Sequence, residues 1–142
     1  MELAEAKRAG FYNISDAAAR SGVSAKMIRH YESLRLLKAA PRTTAGYRVY
    51  ADSDVHTLRF VRRARDLGFS IGEIQQLLGL WQNRRRASAD VRRVAEKHVA
   101  ALDAKIRALQ DMRGTLRDLI QNCHGDSRPE CPILDDLAAS HD

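Results

Sequence analysis

The sequence predicts a mainly α-helical fold: a winged helix-turn-helix, then one long helix, then a short C-terminal loop with two cysteines. Three observations predict it. Two short capped helical segments meet at Ser21-Gly22, and a stretch rich in turn and strand formers follows them. An apolar stripe with steps of three and four then runs without proline from about residue 89 to 122.

Residues 1–10 precede the first clear structural signal and are expected to be a loose extension. Ser15 is a good helix N-cap, and Asp16 places negative charge in the first turn. Ile14, Ala17, Ala18 and Val23 give that segment its apolar side. Ser24 is the next N-cap and opens the run AKMIRHYESLRLL. Two short helices around a glycine-containing turn form the helix-turn-helix pattern. The second carries Lys26, Arg29, His30 and Tyr31, the polar and basic content that a groove-reading helix needs.

Pro41 ends helical structure because it has no N–H to donate. Gly46 suits a turn, while Tyr47, Val49 and Tyr50 favour extended chain. The stretch therefore reads as a short hairpin, or wing, bearing Arg42 and Arg48. Asp52 or Ser53 is expected to cap a helix over about 54–67, with Val55, Leu58, Val61 and Ala64 or Arg65 marking its spacing. Gly68 stops it. Ser70 and Glu73 then make a capping box for a helix with Ile71, Ile74, Leu77, Leu78 and Trp81 on its apolar face.

After the basic break NRRRASAD, Ser88 is expected to cap a helix over about 89–122. Its stripe runs Ala95, Val99, Leu102, Ile106, Leu109, Met112, Leu116, Ile120. Over 30 residues make a helix near ~50 Å, longer than a small domain is wide. Such a seam implies a partner helix, most simply in a second copy of the chain as an antiparallel coiled coil. The domain reading is 1–10 extension, 11–80 winged helix-turn-helix, 81–122 linker and dimerisation helix, 123–142 metal-binding loop and tail.

The chain has 142 residues, enough for one small domain and an extension. Hydrophobic residues at 44% supply a core, and charged residues at 30% predict solubility. No apolar run approaches the ~20 residues of a membrane span, and no secretory pattern opens the chain, so a cytoplasmic protein is expected. The net charge of +6 suggests a polyanionic partner, most often nucleic acid. The two cysteines, Cys123 and Cys131, should be thiols in a reducing compartment. No phosphate-cradling glycine loop, HExxH or nucleophile–base arrangement points to an enzyme.

The runs ISDAAARSGVSAKMIRHYESLRLL and RTTAGYRVYADSDVHTLRFVRRARDLGFSIGEI resemble the MerR family of transcription regulators. The resemblance covers about residues 11–138. In the C-terminal half, SADV and CHGDSRPECPILDDL look like its copper-responsive CueR/HmrR branch. Two positions depart from the family pattern. Arg35 stands where many members have glycine, and His30 where Tyr or Phe is usual.

The resemblance implies that Lys26, Arg29 and Tyr31 on the recognition helix, and Arg42, Tyr47 and Arg48 on the wing, touch DNA, although the residues themselves leave Tyr31 as open to core packing as to DNA. Arg65, with Arg62 or Arg63, is basic enough to reach the backbone. It further implies a dimer on double-stranded promoter DNA with an overlong spacer. The metal-bound form distorts that DNA for RNA polymerase, and the apo form keeps transcription low.

Seven residues separate Cys123 from Cys131. Soft thiolates suit Cu(I), with Ag(I) or Au(I) as mimics, whereas two alone under-coordinate Zn(II). Ser88 occupies the position where zinc-type relatives carry a further cysteine. The serine removes a negative ligand and favours a +1 ion. His124 adjoins Cys123, but neighbouring residues rarely aim at one ion. His98, close to the seam, is expected to be a packing or polar-edge residue, and His56 and His141 to lie at the surface. A copper buffer and a Cys123–Cys131 redox switch are the competing readings. A buffer has no need of a duplex reader.

Overall fold

The computed structural model describes residues 2–38 and 40–139. These residues form seven helices: α1 (Leu3–Arg8), α2 (Ile14–Ser21), α3 (Ala25–Ser33), α4 (Asp52–Asp66), α5 (Ile71–Gln82), α6 (Ser88–Gln121) and α7 (Pro132–Ala138). The chain divides into two compact units, Met1–Val94 and Ala95–Asp142. Among the described residues no helix is long and apolar enough to cross a membrane. His141 lies outside them.

The expected loose extension over 1–10 is corrected. Leu3–Arg8 form a helix, Ala6 on it is fully buried, and the Phe11 N–H donates to the Ala6 carbonyl at 2.9 Å. Good helix formers fill the segment, but isolated helices this short are unstable in water, so burial rather than propensity holds it. The start of α2 also differs from expectation. Asn13, not Ser15, is its N-cap, and Asn13 Oδ1 accepts the Asp16 N–H at 2.8 Å. Tyr12 and Tyr50 exchange backbone hydrogen bonds of 2.7 Å, which hold the chain extended up to residue 12. The first free capping side chain after that bridge is Asn13.

The turn between α2 and α3 forms as expected. Gly22 sits at φ 74°, and Ser24 Oγ accepts the Met27 N–H at 3.2 Å. A side chain at Gly22 would also meet the guanidinium end of Arg62, which would have to move aside. From α4, Arg59 Nε and Nη2 donate to the Arg20 carbonyl at 3.0 and 2.8 Å. Two arginines of α4 therefore brace the helix-turn-helix turn from outside.

Helix α3 and helix α4 end in the same way. After α3, the Arg35 N–H donates to Glu32 O and the Leu36 N–H to Tyr31 O, both at 3.0 Å. After α4, Gly68 donates to Arg65 O at 2.9 Å and Phe69 to Ala64 O at 3.1 Å. Both are Schellman closures, which need a left-handed residue. Gly68 takes φ 86° freely, but Arg35 is held at φ 60° despite its Cβ. Arg35→Gly should therefore raise stability by about 0.5–1 kcal/mol, the relief of left-handed strain less the added freedom of the unfolded chain. Chemical denaturation would read this as a higher midpoint at unchanged slope. A lower midpoint would refute it.

The wing is smaller than the expected hairpin. It is a turn at Gly46 closed by an Arg42–Arg48 bridge, with Thr43 N–H to Tyr47 O at 2.8 Å and Val49 N–H to Pro41 O at 2.9 Å. Helix α4 buries Val55, Leu58, Val61 and Ala64, as the spacing predicts. Its cap does not follow expectation. Ala51 holds the N-cap position and donates its N–H to Asp54 Oδ2 at 2.9 Å, while Asp52 accepts the Tyr12 hydroxyl at 2.6 Å. On α5 the Ser70–Glu73 box closes at 3.1 and 2.9 Å. Trp81 stacks on Phe60 of α4 with ring centres 4.6 Å apart. Tyr50, Ile28, Leu58, Ile74, Val49 and Val61 are the largest fully buried side chains.

Helix α6 has 34 residues, and Ser88 is its first helical residue rather than its cap. Val94 and His98 are buried. Val99, Ile106, Leu109, Met112, Leu116 and Ile120 are all at least half exposed. Pro132 opens α7, where its missing N–H costs nothing.

Candidate nucleic-acid interface and thiol loop

Lys26 and Arg29 are exposed one turn apart on α3, and Arg65 is exposed on α4. Tyr47 stands 63% exposed at the wing. Arg42 Nη1 donates to the Gly46 carbonyl at 2.9 Å, so this arginine partly stiffens the wing turn. Of the two readings open for Tyr31, DNA contact and core packing, the structure takes the second. Tyr31 is 5% exposed and belongs to the core with Ile28 and Leu36. It lies three residues after Ile28, on the inward face of α3, and is not offered to a duplex.

A residue outside the predicted set joins α3 to the wing. Glu32 Oε1 accepts the Ala40 N–H at 3.1 Å, and its Oε2 accepts the Tyr50 hydroxyl at 3.3 Å. Arg48 Nε lies 3.2 Å from the same Oε2. That Nε is buried and makes no hydrogen bond, so the contact is an ion pair and not an aligned bond. These partners are eight to eighteen residues away, beyond the reach of periodicity. The one sequence signal is an acid three residues after Arg29 on a basic helix.

Burial first, then the Glu32 charge and hydrogen bond, pushes the Tyr50 hydroxyl up to about 12, against an opposing pull from Arg48 and Arg29. The folded value is raised, so the protonated hydroxyl stabilises the fold fully below about pH 10. That contribution is lost as pH rises from about 10 towards about 12. Tyr50→Phe, which cannot ionise, should show a shallower loss of melting temperature across that window. An equal loss would show that Tyr50 does not carry the effect.

The cysteines flank the segment between α6 and α7. Cys123 follows α6, its N–H donating to Ile120 O at 3.1 Å, and Cys131 is the N-cap residue of α7. Both are free and half-buried. Gly125 turns the chain at φ 65°. Asp126 accepts the Arg128 N–H and Nε, each at 2.9 Å. The bond from the Arg128 side chain is the main reason the Asp126 carboxyl is held below its ordinary range. The segment between the thiols is therefore folded on itself. His124 and His56 are exposed. Among the described residues no three His, Cys, Asp or Glu side chains gather in a metal-holding group. The soft donors of the loop are its two thiols, which as residue types fit a metal content with two ligands. Ser88 lines a shallow cavity with Arg84, Arg86, Val91 and Arg92, a strongly cationic setting.

The sequence matches two family models, "MerR HTH family regulatory protein" over residues 12–80 and "MerR, DNA binding" over residues 55–119. The chain belongs to the MerR family of helix-turn-helix transcription regulators, which are not enzymes. It is 57% identical over 126 residues to the HTH-type transcriptional regulator HmrR of Sinorhizobium medicae, covering 89% of this chain and 86% of that protein. It is 39% identical over 126 residues to CueR of Salmonella typhimurium, covering 89% and 91%. Among solved structures, it is similar to the transcription regulator PbrR691 of Ralstonia metallidurans CH34 in complex with lead(II). That match has a TM-score of 0.78 at 28% identity and covers 89% of this chain and 99% of that one.

Proposed function

We propose that this chain is a copper(I)-responsive regulator that binds promoter duplex DNA as a homodimer in the cytoplasm. Without metal it holds transcription low. With metal it distorts the promoter so that RNA polymerase can start, and copper-efflux or tolerance genes are activated. Lys26, Arg29, Arg42, Tyr47, Arg48 and Arg65 are the DNA-contacting side chains of this reading, and Cys123 and Cys131 hold the metal.

The observation that carries the metal assignment is that two half-buried thiols stand at the two ends of one short segment, Cys123 after α6 and Cys131 at the start of α7. Soft thiolates favour Cu(I), Ag(I) and Au(I), which accept two ligands, over Zn(II), which takes four in structural sites. A bound monovalent ion would supply a tether across the two ends of the loop. In this reading Ser88, standing where zinc-type relatives carry a further cysteine, adds no thiolate and so no negative charge, which suits a +1 ion. The kinship to proteins named for heavy-metal dependence supports the same reading.

The DNA assignment predicts salt-steep binding, with log Kobs falling by about 0.9 per neutralised phosphate for each unit of log salt. The metal test is competition of the reduced protein for Cu(I) against a high-affinity chelator, with Zn(II) and Pb(II) in parallel. One tightly held Cu(I) per chain, unmatched by the divalent ions, is expected. Preference for Zn(II) or Pb(II) would overturn the copper assignment and leave a regulator of another metal.

A further inference from the structure

We propose that Glu32 is the positioning residue of the DNA interface: its carboxylate ties the recognition helix to the wing and fixes Arg48 to reach a phosphate. This rests on the DNA-binding reading above and adds to it a residue that touches no DNA.

Three partners from three places in the chain meet on this one side chain. The Ala40 N–H holds Oε1, the Tyr50 hydroxyl holds Oε2, and the Arg48 guanidinium pairs with Oε2. Glu32 is 14% exposed in its side chain and Arg48 33%, yet Arg48 Nε is wholly buried. The inner nitrogen is therefore committed to Glu32, and the outer nitrogens are those left to meet a phosphate. Arg29, one turn before Glu32 on α3, lines the same cleft, so the carboxylate shares that cleft with a cation from the helix and one from the wing.

A bare carboxylate here would repel a duplex. Paired and hydrogen-bonded, it is neutralised, and what remains is geometric. An arginine on a flexible wing loses side-chain freedom when it grips a phosphate. Glu32 removes much of that freedom before DNA arrives, which is how preorganisation raises affinity without adding a contact. The same acid restrains the wing at both ends, through Ala40 before it and Tyr50 after it.

The test uses the full chain on a mixed-sequence DNA duplex, with affinity measured over a range of salt. Glu32→Gln, Arg48→Ala and the double variant are compared, with melting temperature as the check on folding. Glu32→Gln should bind several-fold more weakly, and its salt slope should fall by about 0.9, the share of one phosphate. Arg48→Ala should lose the same increment, and the double variant no more than either single. Amide exchange at Thr43 and Val49 should quicken in Glu32→Gln.

A purely structural glutamate would lower the melting temperature and leave the slope alone, and that outcome overturns the proposal. So does tighter binding by Glu32→Gln, which would make the acid only a repulsive charge, or losses that multiply in the double variant. If Glu32→Gln does not fold, Glu32→Asp gives the same reading, because it keeps the charge but cannot span all three partners. Wild-type protein that bound duplex without salt dependence would overturn the DNA reading itself, whatever the variants did.

Discussion

Leu109→Glu should convert the regulator to a monomer and remove most of its DNA affinity. Six large apolar residues on α6, from Val99 to Ile120, are 50–62% exposed. They fall on one stripe, and a helix of 34 residues has no means of covering that stripe with its own side chains. Burying one such side chain fully is worth about 1.5–3 kcal/mol, so a second copy of α6 laid along the stripe gains enough to form a stable coiled coil. Glutamate at 109 places an unpaired carboxylate in that seam from each copy, at a cost of several kcal/mol. Each 1.4 kcal/mol is tenfold, so the dimer should weaken by about a thousandfold or more.

Glutamate is a good helix former, and circular dichroism should show the helix content kept. Gln110→Glu, one residue off the stripe, adds the same charge and should leave the dimer intact. Sedimentation equilibrium reads the first effect directly. Salt-dependent DNA binding reads the second, because a monomer covers one half-site and should show about half the slope. A dimeric Leu109→Glu protein would mean that this stripe is covered by something other than a second α6.

Local chemistry explains which parts of the fold were legible in the sequence. Ser24, Gly22, Gly68 and the Ser70–Glu73 box act within three or four residues of themselves, and each is found where the sequence placed it. The spacing of Val55, Leu58, Val61 and Ala64 is likewise a property of one helix. What escaped depends on distant chain. Asn13 and Ser15 are equally good caps, and the Tyr12–Tyr50 bridge chooses between them. The six residues of α1 carry no cap signal, and only the burial of Ala6 reveals them. Tyr31 has an aromatic ring and a hydroxyl, so residue type alone does not say whether it faces core or groove.

The site divides along the same line. The exposed seam of α6 is a periodic pattern and could be read directly. Glu32 could not, because its three partners lie eight, sixteen and eighteen residues on. The thiol pair was visible as a spacing. Gly125, Asp126 and Pro129 are turn-forming types and mark the loop between them as able to fold back, but that Asp126 takes Arg128 as its partner is not specified by those types.

Cys131→Ser should abolish the metal response while leaving DNA affinity within about twofold, as expected for a half-buried change that removes none of the side chains proposed to contact DNA. Serine keeps the shape of the side chain at the start of α7, and it caps helices well, so α7 should persist. It cannot supply a thiolate, since only sulfur ionises near neutral pH and binds a soft ion strongly. Loss of outer-sphere partners alone costs about 10–100-fold in metal affinity, so removal of one of two direct ligands should cost at least that. The cations proposed to contact DNA lie in the unit Met1–Val94 and the thiols in Ala95–Asp142, so the substitution removes a thiol and leaves that set of cations complete.

Transcription in vitro from the cognate promoter, with and without Cu(I) under reductant, is the measurement. Wild type should respond, and Cys131→Ser and Cys123→Ser should both stay at the metal-free level. A response that survives either substitution would remove that thiol from the site. A wild-type response to an oxidant without metal, lost on reduction, would instead make the two thiols a disulfide switch. Both cysteine variants would be silent under either mechanism, so the reductant arm, and not the mutants, separates a metal sensor from a redox one.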